Sequence, residues 1–242
     1  MPPMKQPLAA ALLIALSALS ASPSAAKQWK NSVEFSYMTA NGNTKLQSLS
    51  GRDAFTYDFS EKTKAELEAG GNGARTDRQV QAEQYYAVEK ISRKLTDRDY
   101  VFERYRWDRN FFAGIKHRHD FAVGLGRELW KTDRNLLIGE ASPGYVNEER
   151  IGANHVSYAS ARLYSKYSRK LNETASFTQD AEYIQSLADN RDRRVNAETT
   201  LTAALTSVLS VKNSFQVKHN SRPPAGRRKD DTILMIALLA SF

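Results

Sequence analysis

The chain has 242 residues, a formal net charge of +8 and no cysteine. The lack of cysteine excludes a small scaffold held together by disulfides, so hydrogen bonding and packing must supply its stability. Acidic and basic residues are interspersed, and the dense basic run at residues 222–229 lies in a segment rich in Pro and Gly. No nucleic-acid partner is expected, because such a partner needs basic residues clustered on one face.

The first 26 residues are typical of a secretory signal peptide. Lys5 gives a positive start, and residues 8–19 form an apolar run that is too short to span a bilayer. Small residues follow as far as Ala26, after which we expect cleavage. The sequence therefore predicts a signal peptide at residues 1–26 and an exported barrel domain at residues 27–242.

Beyond the signal peptide, apolar and polar residues alternate with a period of two, which indicates strands with two different faces. The segments 157–167 and 195–205 are clear examples. Polar turns rich in Asp, Asn, Ser and Thr interrupt the alternation at regular intervals. The short turns are at residues 59–63, 95–99, 131–135, 170–174 and 206–210, and longer loops are predicted at 41–44, 70–78, 110–116, 147–154, 187–192 and 220–231.

Alternating short turns and long loops are typical of outer-membrane barrels, which have an even strand count and both termini in the periplasm. Because unpaired backbone groups are costly in lipid, such a sheet must close on itself. We therefore predict an all-β fold: a closed antiparallel transmembrane β-barrel of about 12 strands, with both termini periplasmic. Its apolar face would meet lipid, and its charged face would line the lumen.

Two residues bear on this prediction. The last strand ends in Phe242 after alternating apolar positions, which resembles the signal read by the outer-membrane insertion machinery, so that machinery is an expected partner. Asp53, in contrast, falls on the face assigned to lipid, where a charge is costly. Either a bulge near Gly51 changes the register or the face assignment of that strand is wrong.

Three stretches, at residues 29–44, 105–126 and 137–149, resemble the YdiY-like family of salt-induced outer-membrane proteins, a domain family of unknown function. The resemblance covers nearly the whole mature chain. It implies a barrel in the outer membrane of a Gram-negative bacterium and a link to salt or envelope stress. It implies little about what the barrel does.

The first candidate site is a ladder of opposite charges on the lumen face of three consecutive strands. Neighbouring strands would bring these charges together, either as an ion-selective constriction or as a plug of salt bridges that makes the barrel rigid. The ladder consists of Arg162, Lys166, Asp180, Glu182, Arg194 and Glu198. A second charged cluster comprises Arg104, Arg106, Asp108 and Arg109.

The second candidate is a hydrolase site at the outer rim. His155 and Ser157 are two residues apart on a strand, so they share a face, as the base and nucleophile of outer-membrane phospholipases and lipid A deacylases do. Asn147 or Glu149 on the preceding strand would orient the histidine. No oxyanion site is evident, and a second such pair, His219 and Ser221, arises in a loop.

Neither a metal nor a cofactor is expected, because His117 and His119 alone do not supply three ligands. Arginines of the outer loops are candidates to bind lipopolysaccharide phosphates, with outer-membrane lipid as the partner. These are Arg75, Arg78, Arg150, Arg191, Arg227 and Arg228.

The leading hypothesis is a non-enzymatic barrel with a structural or small-solute pore role, and the rim acyl hydrolase is the alternative. The oligomeric state is not set by any of these features.

Overall fold

The computed structural model describes residues 28–40, 46–76, 79–111, 113–152 and 155–242. The predicted signal peptide and the predicted loop at 41–44 lie outside the described residues. Within these ranges, no α-helix is long and apolar enough to cross a membrane.

The described residues form twelve β-strands joined in one sheet. The strands are β1 (Trp29–Ala40), β2 (Leu46–Asp58), β3 (Thr63–Thr76), β4 (Gln79–Lys94), β5 (Asp99–Asn110), β6 (Ile115–Lys131), β7 (Asn135–Arg150), β8 (Val156–Lys170), β9 (Ala175–Ser186), β10 (Arg193–Ala204), β11 (Leu209–Asn220) and β12 (Asp230–Ser241).

Each strand pairs antiparallel with the next, and β12 returns to pair with β1, so the sheet is a closed barrel. The predicted closed antiparallel barrel of twelve strands is therefore confirmed. The first strand begins and the last strand ends on the side that carries the short turns, where Asn31 and Phe242 exchange backbone hydrogen bonds of 3.3 and 2.9 Å.

The five short turns lie where the polar clusters predict them, because their side chains satisfy the local backbone. In the turn after β4, the hydroxyl of Thr96 accepts hydrogen bonds from the amides of Arg98 and Asp99, at 3.2 and 2.9 Å. In the turn after β8, Asn172 accepts bonds from Thr174 and Ala175 in the same way.

The loop predicted at 70–78 is wrong, because β3 continues to Thr76. The glycines read as a flexible loop instead make room for tyrosines of β4. A Cβ at Gly70 would lie 2.8 Å from the ring of Tyr86, and one at Gly71 would lie 2.8 Å from that of Tyr85. Aromatic side chains of a neighbouring strand can cover strand glycines in this way. The loop predicted at 147–154 is also shorter than expected, since β7 reaches Arg150.

The barrel is inverted relative to a soluble protein, with apolar side chains outside and charged ones inside. Leu163 and Leu234 on the outer face are 58% and 77% exposed, whereas Arg162 and Glu148 inside are 4% and 1% exposed. Charged residues are rarely buried unless they are paired. The interior must therefore be a network of ion pairs.

Asp53 lies on the outer face, where the sequence placed it and where a charge is costly. Neither of the two explanations expected from the sequence, a bulge near Gly51 or a wrong face assignment, applies. The pairing of β2 with β1 and β3 runs past Gly51 without a register shift, while the neighbouring Arg52 lines the lumen. Asp53 accepts a hydrogen bond of 2.8 Å from the side-chain amide of Asn31, which shares its face. A polar pair, rather than a bulge or a reversed strand, accommodates the carboxylate.

Candidate functional site

All six residues of the predicted charge ladder line the lumen. Arg162, Glu182, Arg194 and Glu198 take part in its ion pairs. Arg162 on β8 donates from Nε to Oε1 of Glu182 on β9 at 2.6 Å, and from Nη1 to Oε2 of Glu140 on β7 at 3.0 Å. Glu140 also binds Lys90 of β4 and accepts a hydrogen bond of 2.8 Å from the hydroxyl of Tyr100 on β5. One arginine and one glutamate thus connect five strands.

Other ladder residues pair across the lumen rather than with the neighbouring strand. Arg194 of β10 lies 3.7 Å from Asp120 of β6, and Glu182 lies 3.5 Å from Arg104 of β5. These strands are four positions apart around the barrel wall. Their side chains therefore reach across the lumen. Period-two alternation cannot predict such contacts, because it shows only on which face of the sheet a residue lies.

A second set of ion pairs connects strands on the two sides of the joint at which β12 pairs with β1. Glu198 of β10 lies 3.5 Å from Arg52 of β2 and 3.6 Å from Lys212 of β11. Lys212 also donates to Glu34 of β1 at 2.8 Å. The partners Arg52, Lys212 and Glu34 were missed in the sequence, although extending the same alternation to β1, β2 and β11 would have placed them inside.

The predicted cluster at residues 104–109 is divided between two faces. Arg104, Arg106 and Asp108 line the lumen, where Arg106 forms two hydrogen bonds with Asp108, at 2.7 and 2.6 Å. Arg109 lies opposite Tyr85 on the other face, next to a register shift between β5 and β6. Including Arg109 in one cluster was therefore wrong, because adjacent strand residues point to opposite faces.

The lumen contains a cavity of about 850 Å³. Its lining extends from Lys62 in a short turn to Asn110 and Pro223 at the loop end. Strands of this length, tilted by about 40°, build a wall roughly 30 Å tall. Spread over that height, the cavity is roughly several ångströms wide.

The segment between β11 and β12 crosses the mouth at the loop end. Pro224 in this segment is buried and packs against Gly114 in the turn between β5 and β6, on the opposite wall. A Cβ at Gly114 would lie 3.0 Å from that of Pro224, and the φ of +75° at Gly114 also favours glycine. The crossing narrows the mouth at the loop end, which the sequence did not predict.

The proposed rim pair is assembled on the outer face. His155 Nε2 lies 2.8 Å from Ser157 Oγ, and both residues are exposed. Asn147 lies directly opposite Ser157 in the register of β7 and β8. Glu149, the other predicted third member, accepts a hydrogen bond of 2.6 Å from Lys116, so its carboxylate is engaged elsewhere.

The second His-x-Ser pair differs. His219 Nδ1 lies 2.6 Å from a carboxylate oxygen of Asp230. Ser221 donates to the carbonyl oxygens of Arg191 and Arg193, at 2.6 and 3.0 Å. The hydrogen bond between His155 and Ser157 is therefore not a general result of this spacing.

The two histidines of β6 each contact an aromatic residue of β5. Nε1 of Trp107 donates to Nδ1 of His117 at 3.3 Å, and the hydroxyl of Tyr105 lies 2.7 Å from Nδ1 of His119. In the part of the chain that the structure describes, no group of three or more His, Asp or Glu side chains is arranged to hold a metal ion.

The arginines predicted to bind lipopolysaccharide differ in their exposure. Arg150 binds Glu148 at 2.5 Å inside the barrel, so it is not a free loop arginine. Arg78 lies outside the described residues. The exposed members are Arg75, Arg191, Arg227 and Arg228.

A closed twelve-stranded antiparallel barrel with a charged interior and an apolar exterior has the architecture of outer-membrane β-barrels. The chain belongs to the family described as "Protein of unknown function, DUF481", whose profile matches residues 33–242. It is 25% identical over 205 residues to the "Uncharacterized protein YdiY" of Escherichia coli (strain K12), covering 83% of this chain and 78% of that protein. The predicted family is thereby confirmed.

Solved structures share the fold. The COG4313 outer membrane channel from Pseudomonas putida F1 aligns with a TM-score of 0.55 at 10% identity, covering 88% of this chain and 95% of that one. A KdgM porin in complex with disordered oligogalacturonate aligns with a TM-score of 0.50 at 10% identity, covering 87% and 99%. These similar proteins are channels and porins rather than enzymes.

Proposed function

We propose that this protein is an outer-membrane barrel whose narrow, charged lumen passes small hydrated solutes and ions. In this proposal the signal peptide directs export, Phe242 takes part in insertion, and both termini lie in the periplasm. The apolar outer face would meet lipid, with lipopolysaccharide at the exposed loop arginines. A link to salt or envelope stress, implied by the family resemblance, is part of the same proposal.

The observation that supports a pore is a cavity whose lining includes residues at both ends of the barrel, Lys62 in a short turn and Pro223 at the loop end. Fixed charges along it, such as Lys166 and Asp180, make its ion preference depend on individual side chains. The bridging ion pairs keep the passage narrow, so the expected conductance is lower than that of a wide, water-filled porin.

Planar-bilayer recording tests this proposal. Purified mature protein is expected to give small, discrete conductance steps. Lys166→Glu, which reverses a charge in the lumen, should shift the reversal potential toward that of a cation-selective channel. Arg169→Glu, on the other face of the same strand, is the matched control and should leave the reversal potential unchanged. A trace that stays closed at every voltage would rule out the pore and leave a structural role.

A second candidate, the rim acyl hydrolase, is favoured by the hydrogen bond of 2.8 Å between His155 and Ser157. In this reaction Nε2 of His155 takes the proton of Ser157, whose Oγ attacks an ester carbonyl. The acyl group is transferred to the serine, the alcohol leaves with the proton, and water then releases the fatty acid. Asn147 is the third member best placed, since Glu149 is held by Lys116.

Phospholipid and lipid A deacylation by the purified protein tests this candidate. Ser157→Ala should abolish any deacylation, whereas Ser221→Ala in the loop pair should not. Absence of deacylation by the unsubstituted protein in detergent and in vesicles would eliminate the hydrolase. It would not affect the pore, which does not depend on the rim.

A further inference from the structure

Two arginines reach across the lumen and keep a buried nitrogen that is not hydrogen-bonded. Arg104 extends from β5 to within 3.5 Å of Glu182 on β9. Arg194 extends from β10 to within 3.7 Å of Asp120 on β6. Among the described residues, Nη1 of Arg104 and Nη2 of Arg194 have no hydrogen-bond partner, although both atoms are buried. The two residues line the cavity and are 6% and 7% exposed.

The nearest acceptor of Arg104 is already used by other donors. Oε1 of Glu182 accepts a hydrogen bond of 2.6 Å from Arg162, and Oε2 accepts one of 3.0 Å from Asn196. Both bonds are shorter than the approach of Arg104 to the same carboxylate. A buried donor without a partner is costly, and a charged donor more so. The free guanidinium nitrogens therefore indicate a missing acceptor.

The two arginines belong to one part of the lumen. Asp120 and Glu182 each lie close enough to act electrostatically on both Arg104 and Arg194. The guanidinium groups of Arg106 and Arg162 also act on Arg104, as repelling neighbours [PKA32]. A ligand between the two arginines would thus be surrounded by further positive charge.

The ion pairs of the lumen divide into two linked sets with opposite excess charge. Among the described residues, the set on β4, β5 and β7–β9 joins three cations to two carboxylates, and the set on β1–β3, β10 and β11 joins two cations to three. The first set consists of Lys90, Arg104, Arg162, Glu140 and Glu182. The second consists of Arg52, Lys212, Glu34, Glu68 and Glu198. An anion is therefore favoured on the side of Arg104.

We propose that Arg104 and Arg194 bind an oxyanion inside the lumen, namely the phosphate or carboxylate group of a small solute. This inference rests on the proposed pore, because the ligand must enter a hydrated lumen. The planar guanidinium fork matches the spacing of oxygens in both groups. A water molecule would also accept these hydrogen bonds, but it would not offset the excess positive charge.

Isothermal titration calorimetry of the purified, folded protein in detergent tests the site. Sodium phosphate and sodium acetate are titrated separately at constant ionic strength, with sodium chloride as the background salt and as the control titrant. We expect saturable binding of phosphate, acetate or both, against an excess of chloride. Absence of binding by both oxyanions, or equal binding of chloride, would overturn the proposal.

Charge-conserving variants test the two arginines individually. Arg104→Lys and Arg194→Lys keep a cation beside each carboxylate but lose the planar fork, so each should weaken oxyanion binding by about tenfold or more. Lys166→Gln is the control, because it removes a charge from the same cavity beside Asp180 rather than beside the arginines. It should leave the affinity almost unchanged.

An equal loss of affinity in all three variants would mean that the lumen attracts anions in general, and would overturn the site. If a lysine variant does not fold, the comparison of oxyanions with chloride on the unsubstituted protein still decides. Planar-bilayer recording separates this inference from the pore. Binding without conductance would leave the site and contradict the pore, whereas conductance without binding would leave the pore and contradict the site.

Discussion

The carboxylate of Glu182 in the lumen is contacted by three donor side chains. It accepts a hydrogen bond from Arg162 at 2.6 Å and another from Asn196 at 3.0 Å, and it lies 3.5 Å from Arg104. Removing one partner of a buried ion pair leaves an uncompensated charge. We therefore expect Glu182→Gln to lower the free energy of unfolding by about 3–5 kcal/mol, measured by denaturant unfolding of vesicle-inserted protein.

The matched control lies at the turn end, where Lys64 and Glu66 form a pair at 3.0 Å with both side chains 40% exposed. Exposed pairs contribute about 0–1 kcal/mol, so Glu66→Gln should change stability little. Equal effects of the two substitutions would mean that the lumen network is well hydrated and carries little of the stability.

At the scale of the strand, Gly126 on β6 shows how close packing depends on one missing side chain. A Cβ there would lie 2.1 Å from the ring of Tyr100, whose hydroxyl donates to Glu140. Overpacking of this kind typically costs about 1–3 kcal/mol, so Gly126→Ala should destabilise the barrel by that amount. Gly51→Ala, where the nearest atom is 3.8 Å from the added Cβ, should have a much smaller effect in the same unfolding assay.

Tyr100→Ser should partly rescue Gly126→Ala by making room for the added methyl group. Failure of this rescue would contradict the proposed contact between the two residues.

The strands also show which features the sequence could predict. Alternation identified the barrel and the lumen face of residues such as Arg162 and Glu182, because that pattern is a local property of each strand. It could not predict that Arg194 pairs with Asp120, since contacts across the lumen depend on barrel circumference and register. It also misread Gly70 as part of a loop, because the covering tyrosine comes from the next strand.

For the whole molecule, the crossing segment between β11 and β12 should limit conductance. Replacing residues 222–228 by a short Gly/Ser turn removes the contact of Pro224 with Gly114, and the single-channel conductance should rise. Replacing residues 132–134, in the short turn between β6 and β7 at the other end of the barrel, is the control, because that turn does not line the cavity. Unchanged conductance after the first replacement would place the limiting constriction at the ion pairs deeper in the lumen.

The arrangement of faces can be tested on two adjacent residues of β8. Leu163 lies on the outer face, and Tyr164 lines the lumen. Single variants Leu163→Cys and Tyr164→Cys in vesicle-inserted protein are treated with a small, charged, membrane-impermeant thiol reagent, and modification is measured by mass. We predict that the cysteine at 164 reacts and the cysteine at 163 is protected. Preferential modification at position 163 would contradict an apolar exterior in lipid around a hydrated, charged lumen.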